Sequence, residues 1–227
     1  MANLAVIPAR GGSKRIPRKN IKDFCGKPII AYSIEVALES GLFDEVMVST
    51  DDGEILEIAK KYGAEVPFMR SKENSNDYAT LSDVVDEVKL SYLKENKYFE
   101  YICCILPTSP LITVESLKRG YWELIEKNAD SVSPVVRFSY PIQRALRMIN
   151  NKIQMFDSKY RYSRSQDLES AYHDAGQFYW MKYDVGLRGK EKYGFEIPES
   201  QSQDIDNDID FEIAQMKYRL LKNSNFK

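Results

Sequence analysis

The sequence predicts an α/β fold with a mainly parallel β-sheet covered by helices on both faces. First, short apolar segments of strand length alternate with helical segments along most of the chain. Second, the apolar run of residues 4–8 leads into a glycine-containing loop and then a helix, as in phosphate-binding α/β proteins. Third, 227 residues with 43% hydrophobic content suit one globular domain with a modest insertion.

The individual elements follow from local patterns. Pro28 at the start and Gly41 at the end delimit the first helix, and Gly63 ends the second. The predicted helices cover residues 28–41, 55–62, 81–95, 113–127 and 211–221. After the strand at 4–8, the predicted strands cover residues 45–50, 65–69, 101–106, 131–136, 177–181 and 195–197.

The regular alternation is interrupted between residues 137 and 173. Residues 146–149 and 153–156 flank Asn150-Asn151, which is typical of a tight hairpin turn. We predict that residues 1–136 and 174–227 form the main domain, and that 137–173 form a small inserted dimerisation subdomain. Its apolar and aromatic content favours packing against another surface, such as a second copy of the chain.

Composition excludes several classes of protein. Lys plus Arg is 32 and Asp plus Glu is 34, so the net charge of −2 argues against a nucleic-acid partner. No segment has the length of a signal peptide or a membrane span, so we expect a cytoplasmic protein with no membrane partner. The three cysteines have no disulfide or zinc spacing, and Cys103-Cys104 is predicted to be buried in a strand.

The first loop is predicted to bind a polyphosphate. Residues 10–19 contain Gly11-Gly12 and five cationic side chains, so backbone N–H groups and positive charge lie together. The loop lacks the Gly-Lys-Ser/Thr ending of a Walker A motif and the third glycine of a dinucleotide fingerprint. Asp51-Asp52 only weakly resembles the ribose-binding acid of NAD enzymes. The alternative is a solvated basic surface turn.

The second chemical feature is the acidic segment 203–211. Asp204 and Asp206 point to the same side of an extended chain, and paired carboxylates suit Mg²⁺. Asp208 is predicted to cap the last helix, whereas Asp210 is open between helix stabilisation and metal binding. His173, the single histidine, is open between a general base and a structural role.

Residues 7–20, 26–29, 49–52, 107–110 and 204–206 resemble, in this order, the cytidylyltransferases that activate nine-carbon acid sugars. The resemblance implies a three-layer Rossmann-like nucleotidyltransferase fold, CTP as substrate, and Mg²⁺ held by Asp204 and Asp206. It implies nucleotide binding by Ala9, Arg10, Gly11, Gly12, Ser13, Lys14, Lys19, Asn20 and Asp51. Of these, Lys19 and Arg10 would be catalytic together with Asp206. It also implies a homodimer in which the inserted subdomain completes the partner's site.

The acceptor sugar is indicated by departures from the sialic acid branch. That branch has Gln where this chain has Leu106, and Asn where it has Ala175. Residues 139–145, 164–169 and 173–180 instead resemble the pseudaminic acid branch of the family. A site built for one set of hydroxyl and acylamino groups discriminates against analogues lacking them. The expected sugar-site residues are Arg70, Leu106, Thr108, Ser109, Arg144, Arg164, Gln166, His173 and Gln177.

The resemblance therefore implies transfer of CMP from CTP to the anomeric hydroxyl of pseudaminic acid, with release of pyrophosphate. The alternative within the family is the same reaction on legionaminic or N-acetylneuraminic acid. Two alternatives lie outside it, a nicotinamide-dependent oxidoreductase and a non-catalytic nucleotide- or nucleic-acid-binding module. Neither requires a metal at Asp204 and Asp206, so this acidic pair discriminates between the classes.

Overall fold

The computed structural model describes residues 2–224 and has eleven strands and five helices in that range. The strands are β1 Asn3–Pro8, β2 Asp23–Phe24, β3 Lys27–Pro28, β4 Glu45–Ser49, β5 Tyr101–Ile105, β6 Ser131–Arg137, β7 Leu146–Ile149, β8 Lys152–Met155, β9 Tyr172–Asp174, β10 Phe178–Lys182 and β11 Lys192–Glu196. The helices are α1 Ile29–Ser40, α2 Gly53–Lys61, α3 Leu81–Lys94, α4 Val114–Glu126 and α5 Asp208–Ser224.

Seven strands form the central sheet in the order β11-β6-β10-β5-β1-β4, and β9 pairs with β6. β1 pairs in parallel with β4 and β5, and β6 pairs in parallel with β11. β10 lies antiparallel between β5 and β6, so β5 and β6 run in the same direction. Five strands therefore share one direction, which confirms the predicted mainly parallel sheet. Their carboxyl ends meet at one edge, where α/β proteins bind ligands.

Alternating side chains of β1 enter two different cores. Ala5 and Ile7 face the core formed with α1, α2 and α4, whereas Leu4 and Val6 face α3. The result is a sheet between two helical layers. α5 packs through Phe211 into a third cluster with residues near the first loop. This packing brings the last helix of the chain beside the first turn.

The predicted strand at 65–69 was wrong. Glu65 forms only an isolated bridge with Met47, in which its N–H donates to Val46 O at 2.8 Å and its carbonyl accepts from Val48 N at 2.9 Å. Pro67 has no N–H and cannot extend a ladder. The chain returns to the end of β4 at Arg70, whose N–H donates to Thr50 O at 2.8 Å.

The start of α5 also differs from the prediction. Asn207, and not Asp208, acts as the cap, since its side chain accepts from Asp210 N at 3.0 Å. The Asp210 carboxylate accepts in return from the N–H groups of Asp206 and Asn207 at 3.0 and 3.1 Å. Asp208 forms an ion pair with Lys22 instead, at 2.8 Å. The Asp210 side chain is thus engaged in holding the helix start.

Strands β7 and β8 form a separate two-stranded sheet, as predicted. Asn150 and Asn151 have φ values of 49° and 62°, which confirms a turn that needs two left-handed residues. Four large apolar side chains of this hairpin are at least half exposed: Leu146, Met148, Ile149 and Ile153. Cys103 and Cys104 are fully buried in β5, also as predicted, and burial raises the pKa of Cys104 to about 12. Among the helices of residues 2–224, none is long and apolar enough to cross a membrane.

Candidate active site

A cleft of about 300 Å³ lies at the carboxyl ends of β1 and β5. Three segments form most of its wall: the loop after β1, residues 70–84, and residues 106–108 after β5. The sequence-predicted residues that line it are Arg10, Ser13, Lys14, Lys19, Asn20, Arg70, Leu106 and Thr108. Most of the predicted nucleotide site and part of the predicted sugar site therefore share one cavity.

Main-chain and amide contacts fix the first loop. Ala9 is fully buried and its N–H donates to Ser49 O at 2.9 Å, which continues the pairing of β1 with β4. Gly11 N donates to Asp51 Oδ1 at 2.9 Å. Asn20 Nδ2 donates to Arg10 O at 2.9 Å and closes the loop on itself. Gly12 is exposed, with open space where a Cβ would lie, so a ligand can approach its backbone.

Asp77 is a residue at this site that the sequence did not single out. Its carboxylate pairs with Arg10 at 2.9 Å and also with Lys14. Arg10 Nη1 donates in addition to Asn76 O at 2.6 Å. The polar character of loop 74–80 before α3 was the sequence feature that could have indicated a site residue there. The sequence alone does not show that this loop contacts Arg10, which lies far from it along the chain. Asp77 holds two loop cations close together at the mouth of the cleft.

Lys19 joins the basic loop to the acidic segment near the C-terminus. Its Nζ donates to Ile205 O at 2.6 Å, a contact between residues 186 positions apart. Burial lowers the pKa of Lys19, and the charges of Asp206 and Asp204 oppose that effect. Arg15 pairs directly with Asp206 at 2.6 Å. The two oppositely charged segments thus meet beside the cleft.

Asp204 and Asp206 flank the buried Ile205 on a segment without regular secondary structure. Within residues 2–224, no group of three or more His, Cys, Asp or Glu side chains could hold a metal ion. Two carboxylates suit a hard divalent cation whose other positions are filled by water and phosphate oxygens. The donor set therefore fits a cation that binds together with a polyphosphate, and not a closed protein cage.

Three residues of the predicted sugar site, Arg70, Ser109 and Gln177, are buried and make polar contacts. Arg70 is 8% exposed, and its guanidinium donates to Ser49 Oγ at 3.0 Å and to the Ser49 carbonyl. Ser109 Oγ donates to Gly176 O at 2.8 Å. Gln177 is 3% exposed, and its Oε1 has no hydrogen-bond partner among the described residues. A buried amide oxygen without a partner is available to a donor from elsewhere.

Six predicted sugar-site residues do not line this cleft: Ser109, Arg144, Arg164, Gln166, His173 and Gln177. Arg164 pairs with Asp167 at 2.7 Å, and Arg144 donates to Ser165 Oγ at 3.4 Å, both within the insert. Gln166 lines a separate cavity in the insert. The exposed His173 packs edge-on against Phe138, with its Nδ1 2.9 Å from Asp174 O.

Asp52 forms a charged cap for α2 beside the loop. Its carboxylate accepts from Glu54 N and Ile55 N, both at 3.0 Å, and from both terminal nitrogens of Arg18 at 2.5 and 3.0 Å. The hydrogen bond from Arg18 is the largest cause that lowers the Asp52 pKa to about 2. Since the folded pKa of Asp52 lies below the ordinary aspartate value of 3.8, ionised Asp52 stabilises the fold above pH 3.8, and this contribution is lost as pH falls toward 2.

We therefore expect Asp52→Asn to lower the free energy of unfolding by about 1 kcal/mol at pH 7, a value reduced for solvent screening. The difference between wild type and variant should shrink as the pH is lowered from 5 to 3. Urea unfolding at pH 7, 5 and 3 measures it. An equal difference at all three pH values would show that the ionised carboxylate is not the stabilising form.

A mainly parallel α/β sheet with a cationic glycine loop facing two carboxylates defines a Rossmann-like nucleotidyltransferase. A family model described as "Cytidylyltransferase" matches residues 4–221, and the chain belongs to this family. It is 46% identical over 233 aligned positions to a pseudaminic acid cytidylyltransferase from Campylobacter jejuni, with 100% of each chain covered.

More distant relatives share part of their length with this chain. A Helicobacter pylori protein named as pseudaminic acid cytidylyltransferase and UDP-2,4-diacetamido-2,4,6-trideoxy-beta-L-altropyranose hydrolase is 34% identical over 95% of this chain and 42% of its own. An N-acylneuraminate cytidylyltransferase A from Danio rerio is 33% identical over 94% of this chain and 50% of its own. The likeness thus extends over nearly the whole of this chain.

Solved structures support the fold. The structure of a CMP:2-keto-3-deoxy-manno-octonic acid synthetase complexed with CTP matches with a TM-score of 0.72 at 18% identity. That match covers 99% of this chain and 100% of the other. A 4-diphosphocytidyl-2C-methyl-D-erythritol synthase from Anaerococcus prevotii matches with a TM-score of 0.63 at 12% identity, over 96% of this chain and 98% of its own. At such identities the likeness establishes the shared architecture.

Proposed function

We propose that this protein transfers CMP from CTP to the anomeric hydroxyl of pseudaminic acid and releases pyrophosphate. The observation that carries the proposal is the junction at Lys19, where the basic loop of residues 10–19 meets Asp204 and Asp206 beside the cleft. The name of the 46% identical C. jejuni relative supports the choice of sugar.

The basic loop binds the nucleotide in this proposal. Arg10, Lys14 and Lys19 attract the triphosphate, and the backbone of Gly11 and Gly12 permits its close approach. Ala9 and Asp51 hold the start of the loop in place, Ala9 through its N–H on Ser49 O and Asp51 through its carboxylate on Gly11 N. Ser13 and Asn20 present polar groups at the wall of the cleft. Asp77 releases Arg10 and Lys14 to the phosphates, since one carboxylate is a weaker competitor than a triphosphate.

The carboxylates of Asp204 and Asp206 would hold Mg²⁺, which neutralises negative charge on the phosphates when bound. Arg15 pairs with Asp206, and Lys19 lies close enough to feel the charge of both carboxylates, so these cations help to position the acidic pair beside the cleft. The cation is proposed from the donor set and from the family's CTP chemistry.

In the reaction, the anomeric oxygen of the sugar forms a bond to the α-phosphorus of CTP. The bond from that phosphorus to the bridging oxygen of pyrophosphate breaks, and the hydroxyl proton is released. Lys19 and Arg10 stabilise negative charge that develops on the leaving pyrophosphate. We assign them, with Asp206, as the catalytic residues because they act by position and charge at the reacting phosphates.

The sugar site is proposed to include residues from two copies of the chain. Arg70, Leu106, Thr108, Ser109 and Gln177 belong to the chain that binds CTP. Arg144, Arg164, Gln166 and His173 lie in or next to the insert and would reach the site of a partner. The exposed apolar hairpin β7–β8 supports a homodimer in which residues 137–173 act as an exchanged subdomain. The three free thiols agree with a cytoplasmic location.

A panel of acceptor sugars tests the substrate. Pyrophosphate release is measured with CTP, Mg²⁺ and pseudaminic, legionaminic or N-acetylneuraminic acid. We expect kcat/KM to be highest for pseudaminic acid, by about 10²-fold or more, because mismatched hydroxyl and acylamino groups leave buried polar groups unpaired. Higher activity with either other sugar would overturn the substrate and retain the reaction. Release with none would overturn the function.

A further inference from the structure

Arg18 has an unusual backbone conformation next to Lys19. Its φ and ψ are 56° and 29°, in the left-handed region that non-glycine residues rarely adopt. It immediately precedes the short 3₁₀ turn Lys19–Ile21, so its conformation sets the direction in which Lys19 leaves the loop. Strained residues of this kind persist only where the surroundings hold them in place.

The Arg18 side chain is held by two acids at the start of α2. Its guanidinium makes a bidentate contact with Asp52, at 2.5 and 3.0 Å, and a further contact with Glu54 at 2.5 Å. Such a planar fork restrains orientation as well as distance. The Arg18 and Asp52 side chains are 38% and 22% exposed, so the pair contributes modestly to stability.

The other end of the loop meets the same carboxylate. A Cβ atom placed on Gly11 would lie 2.5 Å from Asp52 Oδ2 and 3.0 Å from Asp52 Cβ, so only glycine fits there without a shift. The Gly11 N–H is bound to the neighbouring Asp51 at 2.9 Å. The start of the basic loop at Gly11 and its end at Arg18 are therefore both fixed against the beginning of α2.

We propose that Arg18 and Asp52 are positioning residues that hold the basic loop in the shape that binds the triphosphate. This inference rests on the proposed function, because it assigns CTP to that loop. The pair touches no reacting atom; it acts through Lys19, whose direction follows from Arg18, and through Gly11, which rests on Asp52. CTP binding should therefore depend on the pair more than folding does.

Arg18→Gly separates these effects, since glycine adopts the left-handed conformation without strain but cannot pair with Asp52. We expect the melting temperature to stay within about 3 °C of wild type. The dissociation constant for CTP, measured by calorimetry, should rise about tenfold, because the loop loses the contacts of Arg18 with Asp52 and Glu54 that hold it in its binding shape. Arg188→Ala is the matched control, because Arg188 also bridges two acids, Asp83 and Asp86, and none of these three residues lines the cleft. It should leave the CTP affinity unchanged.

A double variant completes the test. If Arg18 and Asp52 act only through their contact with each other, Arg18→Gly combined with Asp52→Asn should weaken CTP binding no more than the single variant with the larger effect does. Unchanged affinity in Arg18→Gly, an equal loss in Arg188→Ala, or independent additive losses would overturn the proposal. CTP affinity does not depend on the acceptor, so an incorrect sugar would leave this result intact. Failure of the wild-type protein to bind CTP would overturn both the positioning role of Arg18 and Asp52 and the proposed function.

Discussion

Asp206→Asn is expected to lower kcat by about 10²-fold or more while the fold stays intact. Asparagine keeps the shape of the side chain but removes the charge that a divalent cation requires. Asp206 is partly exposed and pairs with Arg15 at the surface, so the melting temperature should change little. Pyrophosphate release as a function of Mg²⁺ concentration measures the effect, and the variant should need more Mg²⁺ for half-maximal rate.

Asp208→Asn is the matched control, because Asp208 lies two residues further on and pairs with Lys22 outside the cleft. It should retain near wild-type activity and Mg²⁺ dependence. If the two variants behave alike, the assignment of Asp206 to the cation is wrong.

Lys19→Met is expected to lower kcat/KM for CTP by about 10²- to 10³-fold. Methionine keeps much of the apolar stem and removes the ammonium group, so the loss reports charge stabilisation in the transition state. Because Lys19 also donates to Ile205 O, a small decrease in melting temperature is expected as well. Initial rates at varied CTP and saturating sugar measure the change.

Lys22→Met provides the comparison, since Lys22 is a neighbouring cation whose ammonium pairs with Asp208 and does not line the cleft. We expect it to retain nearly full kcat/KM. An active Lys19→Met enzyme, or equal losses in both variants, would mean that general positive charge, and not the Lys19 position, supports the reaction.

Local patterns in the sequence were sufficient for most of the fold. The left-handed turn at Asn150 and Asn151 and the buried β5 strand follow from neighbouring residues, and both were predicted. The prediction of a strand at 65–69 was wrong. It was based on the hydrophobic pattern, which does not take into account that Pro67 has no N–H to donate to a neighbouring strand. At the start of α5 the predicted cap, Asp208, was wrong, because the neighbouring Asn207 side chain accepts from Asp210 N instead and the sequence does not show which of these adjacent polar residues faces the helix.

The site was only partly predictable. The two charged segments were recognisable from composition, but the contact of Lys19 with Ile205 spans 186 residues and depends on the whole sheet. The pairing of Asp77 with Arg10 and that of Asp52 with Arg18 are likewise tertiary contacts between separate loops. Sequence patterns identify which groups are present, whereas the topology determines which of them meet.

The most direct test of the proposed reaction is identification of its product. Wild-type protein is incubated with CTP, Mg²⁺ and pseudaminic acid, and the products are examined by mass spectrometry and ³¹P NMR. We predict CMP-pseudaminic acid, with one phosphodiester phosphorus joining cytidine to the anomeric oxygen, and an equimolar amount of pyrophosphate. Unchanged CTP, or cleavage of CTP without attachment to the sugar, would contradict the proposal.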